Sequence, residues 1–478
     1  MAQKQKKNTR KTLKGKEITK KLIRATGINA STRIETCNDS LSPFGGLLAV
    51  VKFFEIVHFR ETFNTIYTKP SRDPVHGHYF MVKGILMLLF IGFNRLWHFS
   101  YIRLDPLLRG IFNVVCLPAA STYWRYLDSM GINQAASLLR VMRVLRERVW
   151  QVCRITHSRV KVNFDTTVET VYGGQQGARK GHNTKHRGKK GYRPVMGFIE
   201  ETREYMSGKL RKGETISGEE AADLIKNTRA QLPGCVRSVL VRADGEFCGW
   251  ESVKAALEER LEFIFANKVC KPCFDPAGWY RPWKRRNIEF NSCVYQPQGW
   301  EEAVRFVAMR IPIEESQPAD KPIQCMLFEE DRYKYRIFCT NLNGPAHKIV
   351  DEYDARADVE NLVGEAKREG LAAIPSNKFK NNYAFFQLVM LSYNIWRYIK
   401  LMADLCAKES QVGDAKFQGI QSNTIRIARL KLLFVAAKVI KDAVKYSLYD
   451  TRTPALLNFY SFMDRLRNQQ RSWASVPV

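Results

Sequence analysis

Tyr353-Asp354-Ala355-Arg356-Ala357-Asp358-Val359-Glu360-Asn361-Leu362-Val363-Gly364-Glu365-Ala366-Lys367 is the stretch on which the reading of this chain turns. No proline interrupts it, and Val359, Leu362, Val363 and Ala366 recur at helical spacing. At about 100° per residue, Tyr353, Arg356, Glu360 and Lys367 share a sector of about 60° beside that apolar stripe. The spacing predicts a helix that packs one face and carries a carboxylate among a phenol, a guanidinium and an ammonium. Such a ridge suits a metal site that handles phosphate. It also suits an ordinary amphipathic helix with i,i+4 charge pairs. The rest of the chain must decide between them.

The 478 residues are 45% hydrophobic, a globular composition with room for several domains. Lys and Arg number 76 against 47 Asp and Glu, a formal net charge of +29. That excess favours a polyanionic partner, nucleic acid first and an anionic membrane second. The basic N-terminus has no apolar core of a signal peptide. The longest apolar run, Ile85 to Phe93, is too short to span a bilayer and reads as a buried helix. The eleven cysteines are odd in number and scattered, as suits a reducing cytoplasm. Cys270 and Cys273 form a single CxxC that Cys293 could extend toward zinc. No second close pair or His follows at finger spacing, so reduced thiols are the simpler reading.

Upstream of the quoted stretch, two aspartates stand on strand patterns. Arg159 to Thr167 alternates strictly, with Val160, Val162 and Phe164 on one face and Asn163 and Asp165 on the other. Arg237 to Asp244 is more continuously apolar, as a strand covered on both faces would be, and Asp244 ends it. Open α/β sheets bind ligands at that end of their strands. Between the two, Ser217-Gly-Glu-Glu220 is a capping box that opens a helix to about Ala230. Trp250 to Leu261 reads as a helix and Glu262 to Ala266 as a strand. This alternation predicts an α/β core.

Y-x2-R-x3-E-x6-K, here Tyr353, Arg356, Glu360 and Lys367, resembles the signature of DDE transposases of bacterial insertion sequences. With Asp165 and Asp244 the resemblance covers most of the chain. It implies an RNase H-like core with a β-rich insertion before the last acidic helix, flanked by helical regions. It implies Asp165, Asp244 and Glu360 as the catalytic, metal-binding set, with Tyr353, Arg356 and Lys367 on DNA phosphates. Three carboxylates are hard ligands for two Mg²⁺ or Mn²⁺ ions. The implied reaction is cut-and-paste transposition: cleavage at terminal inverted repeats and transfer of the 3′ end into target DNA. A homodimer in a synaptic complex would act in the bacterial cytoplasm, with no membrane. One departure is that Gly245-Glu246-Phe247 puts a carboxylate two positions past Asp244, where such enzymes often carry Gly or Ala after a small residue and before an aromatic.

The division that follows has six parts. Residues 1–40 form a basic arm, with ten Lys/Arg and one Glu among the first 24 positions. Residues 41–157 form a helical DNA-binding region. Within it, the segment from Leu117 to Gly131 reads in two ways. It is the second helix of a helix-turn-helix presenting Tyr123, Arg125 and Tyr126, or it is a helix packed on its neighbours through Trp124 and Leu127. Residues 158–269 begin the core. They include a glycine-rich loop in which Ala178 to Arg193 holds seven Lys/Arg and no acid. Lys180, Lys185 and Lys189 of that loop are candidate phosphate contacts. Residues 270–345 are the insertion, with strands expected over Asn287–Tyr295, Ala303–Ile313 and Cys325–Asn341. Its run Trp279-Tyr-Arg-Pro-Trp-Lys-Arg-Arg286 mixes aromatics with cations, and Trp283 is the candidate for stacking on a base. Residues 346–403 end the core, with Asn382 to Met402 a helix over the sheet. Residues 404–478 are a C-terminal region in which Ile425 to Tyr449 is open between helix and strand.

Two other functions compete with transposition: a catalytically inactive, transposase-derived DNA-binding protein, and a metal-dependent nuclease without strand transfer. A protein that only binds has no need of the carboxylate set. Strand transfer in a cleavage assay separates the enzyme from the nuclease.

Overall fold

The centre of the protein is an eight-stranded mixed sheet. In the computed structural model its strands are β1 (Arg159–Thr166), β2 (Val195–Ile199), β3 (Glu204–Lys209), β4 (Ser238–Ala243), β5 (Glu262–Asn267), β6 (Glu289–Tyr295), β7 (Val304–Pro312) and β8 (Tyr333–Thr340). The structure describes residues 28–181, 186–268, 270–283, 285, 287–313, 333–409, 417 and 419–469, with the side chain of 357 excepted. Strand order is β6-β7-β8-β5-β4-β1-β2-β3. β1 pairs parallel with β4, and β4 with β5; all other pairs are antiparallel. The insertion strands therefore prolong the sheet that carries Asp165 and Asp244. The part of the third insertion strand expected over Cys325–Arg332 lies outside the described residues.

Alternation in β1 divides its neighbours. Val160, Val162 and Phe164 pack with Val239, Val241 and Ala243 of β4 against two helices, α6 (Gly218–Lys226) and α7 (Trp250–Glu258). Ser217 caps α6, its Oγ accepting from the Glu220 N–H at 3.2 Å. Leu240, Ile264 and Phe338 face the other way, onto Ile349, Val350 and Tyr353 of α8 (Ala346–Asp354). On that second side lie also α9 (Asp358–Ala366) and the long, largely buried α10 (Phe379–Glu409).

The region before the sheet is helical: α1 (Leu47–Ile56), α2 (Phe59–Ile66), α3 (His78–Ile91), α4 (Ala120–Ser129) and α5 (Ile132–Val152), with shorter turns between α3 and α4. Ile85 to Ile91 is buried in α3, as the apolar run predicts. Among the described residues no single helix is long and apolar enough to cross a membrane. Helix α4 does not offer Tyr123 and Tyr126 to a groove. Both are buried, Tyr123 stacked on Phe99 at 3.7 Å between ring centres. Gly84 permits this, because a Cβ there would meet the Tyr123 hydroxyl at 2.5 Å. Trp124, expected inside with Leu127, is exposed instead.

Strand β3, which the sequence reading does not contain, is held by a buried charge network. Glu204 is fully buried and accepts from Arg146 Nε (2.9 Å), Trp150 Nε1 (2.7 Å), Tyr398 OH (2.9 Å) and Thr202 Oγ1 (2.8 Å). Arg146 and Trp150 come from α5 and Tyr398 from α10, so one carboxylate ties three elements together. Its four donors offset the desolvation that an isolated buried carboxylate would cost.

The C-terminal region is of both kinds. Ile425–Ala428 is helical, and Ala437–Ile440 and Ala443–Tyr446 form a hairpin that pairs with Leu41–Ser42. The last helix, Thr453–Gln469, packs against α1. Residues Leu41–Val478 form one compact unit, and residues 1–40 another, whose described part is exposed.

Candidate active site

Register brings the two aspartates together. Asn163 lies beside Arg242 and Phe164 beside Ala243 on the parallel strands β1 and β4. One step further, Asp165 and Asp244 stand at the carboxyl ends of the adjacent strands, on the face turned toward α8 and α9. Neighbouring strands run about 4.8 Å apart. Beneath them Arg242, fully buried, donates from Nε to Asn163 Oδ1 at 2.8 Å and pairs with Glu200 and Glu352. This crosslink fixes both strands to α8. Burial pushes the Arg242 guanidinium down to about 10, still cationic at neutral pH.

The helix of the quoted stretch is not continuous. It runs as α8, tightens into a 3₁₀ turn at Ala355–Ala357, resumes as α9, and widens into a π-turn at Lys367–Leu371. The straight-helix sector is thereby split. Tyr353 and Arg356 point inward and are buried. Arg356 donates from Nη1 to the Tyr353 hydroxyl at 2.5 Å, and from Nη2 to Phe164 O at 3.3 Å and Asp165 Oδ1 at 3.4 Å. The 3₁₀ turn coincides with this reach to the end of β1. Glu360 is exposed on α9. Lys367 Nζ donates to Val168 O at 2.8 Å and pairs with Glu169 at 3.2 Å, fastening the segment that follows Asp165.

Helix α9 is anchored from behind. Glu365 pairs with Arg397 of α10 and accepts from the Ile425 N–H at 2.6 Å, and Glu369 pairs with Arg429. Arg203, in the β2–β3 turn, pairs with Asp358 at 2.9 Å.

Asp165 feels the other two carboxylates. Burial pushes the Asp165 carboxyl up to about 6; the charges of Asp244 and Glu360 push the same way, and Arg356 opposes them. Among the described residues, however, no three His, Cys, Asp or Glu side chains are arranged to hold a metal ion. Asp165, Asp244 and Glu360 are electrostatic neighbours, with the Arg356 guanidinium set against the first of them. As hard oxygen donors with mutually repelling charges, they fit a divalent cation in chemistry.

Glu246, the departure after the second aspartate, belongs to this neighbourhood. Its N–H donates to Asp244 Oδ1 at 3.2 Å, while its carboxylate pairs with Arg193 and accepts from Thr166 Oγ1 at 3.4 Å. Sequence reading missed Arg193, Thr166 and Arg242. Their signal was only polar residues at strand ends, which many strands have.

Of the remaining candidates, Lys180 and Lys189 are exposed on the basic loop, and Lys185 lies outside the described residues. Trp283 is 87% exposed. Trp279, four residues earlier, lies instead under Arg310, 4.1 Å from the guanidinium. Burial pushes the Cys270 and Cys293 thiols up to about 11, so both are protonated at neutral pH.

With this geometry in view, comparison with known proteins decides the family. The family described as "Transposase DDE domain group 1" matches residues 26–470. The chain belongs to that family. It is a DNA transposase, an enzyme of DNA cleavage and strand transfer. DDE transposases depend in general on divalent metal ions. No curated protein matches the chain. Among solved structures it is similar to a piggyBac transposase synaptic complex with hairpin DNA, with 11% identity, a TM-score of 0.39, and coverage of 91% of this chain and 83% of that one.

Proposed function

We propose that this transposase cuts at the terminal inverted repeats of a bacterial insertion sequence and joins the 3′ ends to target DNA, using Asp165, Asp244 and Glu360 around two Mg²⁺ or Mn²⁺ ions. The observation that carries this reading is the register of β1 and β4, which sets Asp165 beside Asp244 within the influence of Glu360. When bound, such ions activate the attacking water or 3′-hydroxyl and stabilise the leaving oxygen. The protein's own residues prepare the place. Arg356, braced by Tyr353, orients Asp165 and holds its charge in check. Lys367 holds the segment after Asp165. Glu246 and Arg193 hold the turn after Asp244. The paired carboxylates of Glu365 in α9 and Glu369 in the π-turn after it keep the helix of Glu360 against the core.

An RNase H-like core is part of the proposal, supported by the order β3-β2-β1-β4-β5, three antiparallel strands followed by two parallel ones. The division into basic arm, helical DNA-binding region, split core, β insertion and C-terminal region is kept in that sense, as is action as a homodimer on DNA in the cytoplasm. Lys180, Lys185, Lys189 and Trp283 are the proposed DNA contacts outside the carboxylate site. The test is one assay with two readouts on DNA carrying the element's ends. Metal-dependent cleavage followed by joining supports the reading. Cleavage without joining replaces it with a nuclease, and binding alone with an inactive DNA-binding protein.

A further inference from the structure

Far from the carboxylates in the chain, a cavity of about 600 Å³ opens beside the N-terminus of α3. Its walls are of two chemistries. His76 stacks on Phe80, ring centres 4.8 Å apart and planes 22° apart, and Phe112 stands edge-on to Phe80. Arg60, Lys69 and Lys83 supply cations. Lys83 donates to Ile111 O at 3.2 Å and lies 4.7 Å from the Phe112 ring centre; burial lowers its pKa to about 8. The opposing charges are few: Asp73 is engaged by His78 Nε2 at 2.7 Å, and Glu55 and Glu61 act from α1 and α2.

The rim of this cavity is a built loop. Gln134 holds Thr68 O at 3.2 Å, His78 holds Asp73, and the Tyr126 hydroxyl lies 3.3 Å from the other nitrogen of His78. Gly77, at φ +77°, closes a turn onto Pro74 O at 2.8 Å. These ties leave Val75 wholly exposed at the tip. A fixed apolar tip beside an aromatic, cationic cavity has the two parts that extrusion of a base requires: a wedge to fill the vacated stack, and a place for the base with charge for its phosphate.

We propose that this loop and cavity extrude and hold a single nucleotide from duplex DNA, with Val75 entering the stack, the base against His76 and Phe80, and its phosphates near Arg60, Lys69 and Lys83. The proposal rests on the chain acting on DNA, as its family does, and adds a nucleotide site in the helical region, separate from Trp283 and the insertion.

The experiment compares the affinity of the full chain for two short duplexes, one carrying a single unpaired 2-aminopurine nucleotide and one fully paired. Prepaid extrusion should make the bulged duplex bind about tenfold tighter. His76→Ala and Phe80→Leu should each bring that ratio down toward about one while paired-duplex binding persists. His76 is exposed, so its variant tests the site without disturbing the core. Equal affinities in the native protein overturn the proposal, as does a preference that survives both substitutions. Loss of paired-duplex binding in both variants also overturns it, by making these residues general DNA contacts. Failure of the native chain to bind either duplex removes the DNA reading itself.

Discussion

Arg356 sets its guanidinium 3.4 Å from Asp165 while bonded to the Tyr353 hydroxyl at 2.5 Å. Both members of the Tyr353–Arg356 pair are buried, so in this state their contacts are to the protein. Arg356→Ala should therefore lower cleavage by about tenfold to a hundredfold through misplacement of Asp165. Low salt should not restore it, because screening acts on exposed phosphate contacts. Arg356→Lys should fare little better, since an ammonium cannot reproduce the fork. Cleavage rates measured across ionic strength decide this; full rescue at low salt returns Arg356 to the role of phosphate clamp.

Glu360 is exposed on α9, and its proposed role as a metal ligand can be tested apart from DNA binding. Glu360→Gln keeps the size of the side chain and removes a charge. Cleavage should fall by about a hundredfold or more, with DNA-end affinity nearly unchanged. Chelation of divalent ions should have the same effect on the native enzyme, and added Mg²⁺ or Mn²⁺ should reverse it. A Glu360→Gln enzyme that cleaves at the native rate would remove the third carboxylate from the site.

The Arg146–Glu204 pair is a test of the scaffold. Arg146→Met leaves a buried carboxylate without its cation and should cost about 3–5 kcal/mol. Replacing both partners by apolar residues should cost less than the single change. Denaturant midpoints for the single and double variants measure the difference.

Lys400 is fully buried, and burial lowers its pKa from 10.5 to about 7. Between those values the folded protein holds a neutral amine where the unfolded chain holds a proton more. Stability from this group therefore rises with pH from about 7 to 10.5, and its cost is largest and constant below 7. Lys400→Met should remove that slope and stabilise the protein near neutral pH. Lys400 also donates to Asn423 O, so a loss of stability at neutral pH would mean that this bond outweighs the buried charge.

Affinity for duplex DNA should fall steeply with salt, given the net charge of +29. A flat dependence between low and physiological salt, measured by titration, would argue against phosphate-dominated binding.

What the sequence made legible was local. Alternation in Arg159–Thr166 and the apolar run before Asp244 sufficed to put both aspartates at strand ends, because each strand's faces are written in its own residues. Strand β3 was illegible for the opposite reason. Glu204 looks like a surface residue until Arg146, Trp150 and Tyr398 are brought to it from elsewhere in the chain. The same holds for the quoted helix. Its periodicity is sound within α8 and α9, but the turn between them coincides with the reach of Arg356 to a strand nearly two hundred positions away. Tyr126 and Trp124 exchanged their expected places because Tyr123, Tyr126, Leu127 and Met130, at i, i+3, i+4 and i+7, form the buried face of α4 and its C-terminal cap and leave Trp124 outside it.

The continuity of the sheet from β4 out to β6 has a metrical consequence. Four steps of hydrogen-bonded strand separate the Asp244 strand from the outermost insertion strand, about 19 Å at the usual spacing. A sheet resists compression along its hydrogen bonds, so this span acts as a ruler. At about 3.4 Å per nucleotide along one strand of a duplex it measures between five and six positions. Under the proposed function, DNA held at the far insertion strand would lie at a set offset from Asp244, because the sheet between them is continuous.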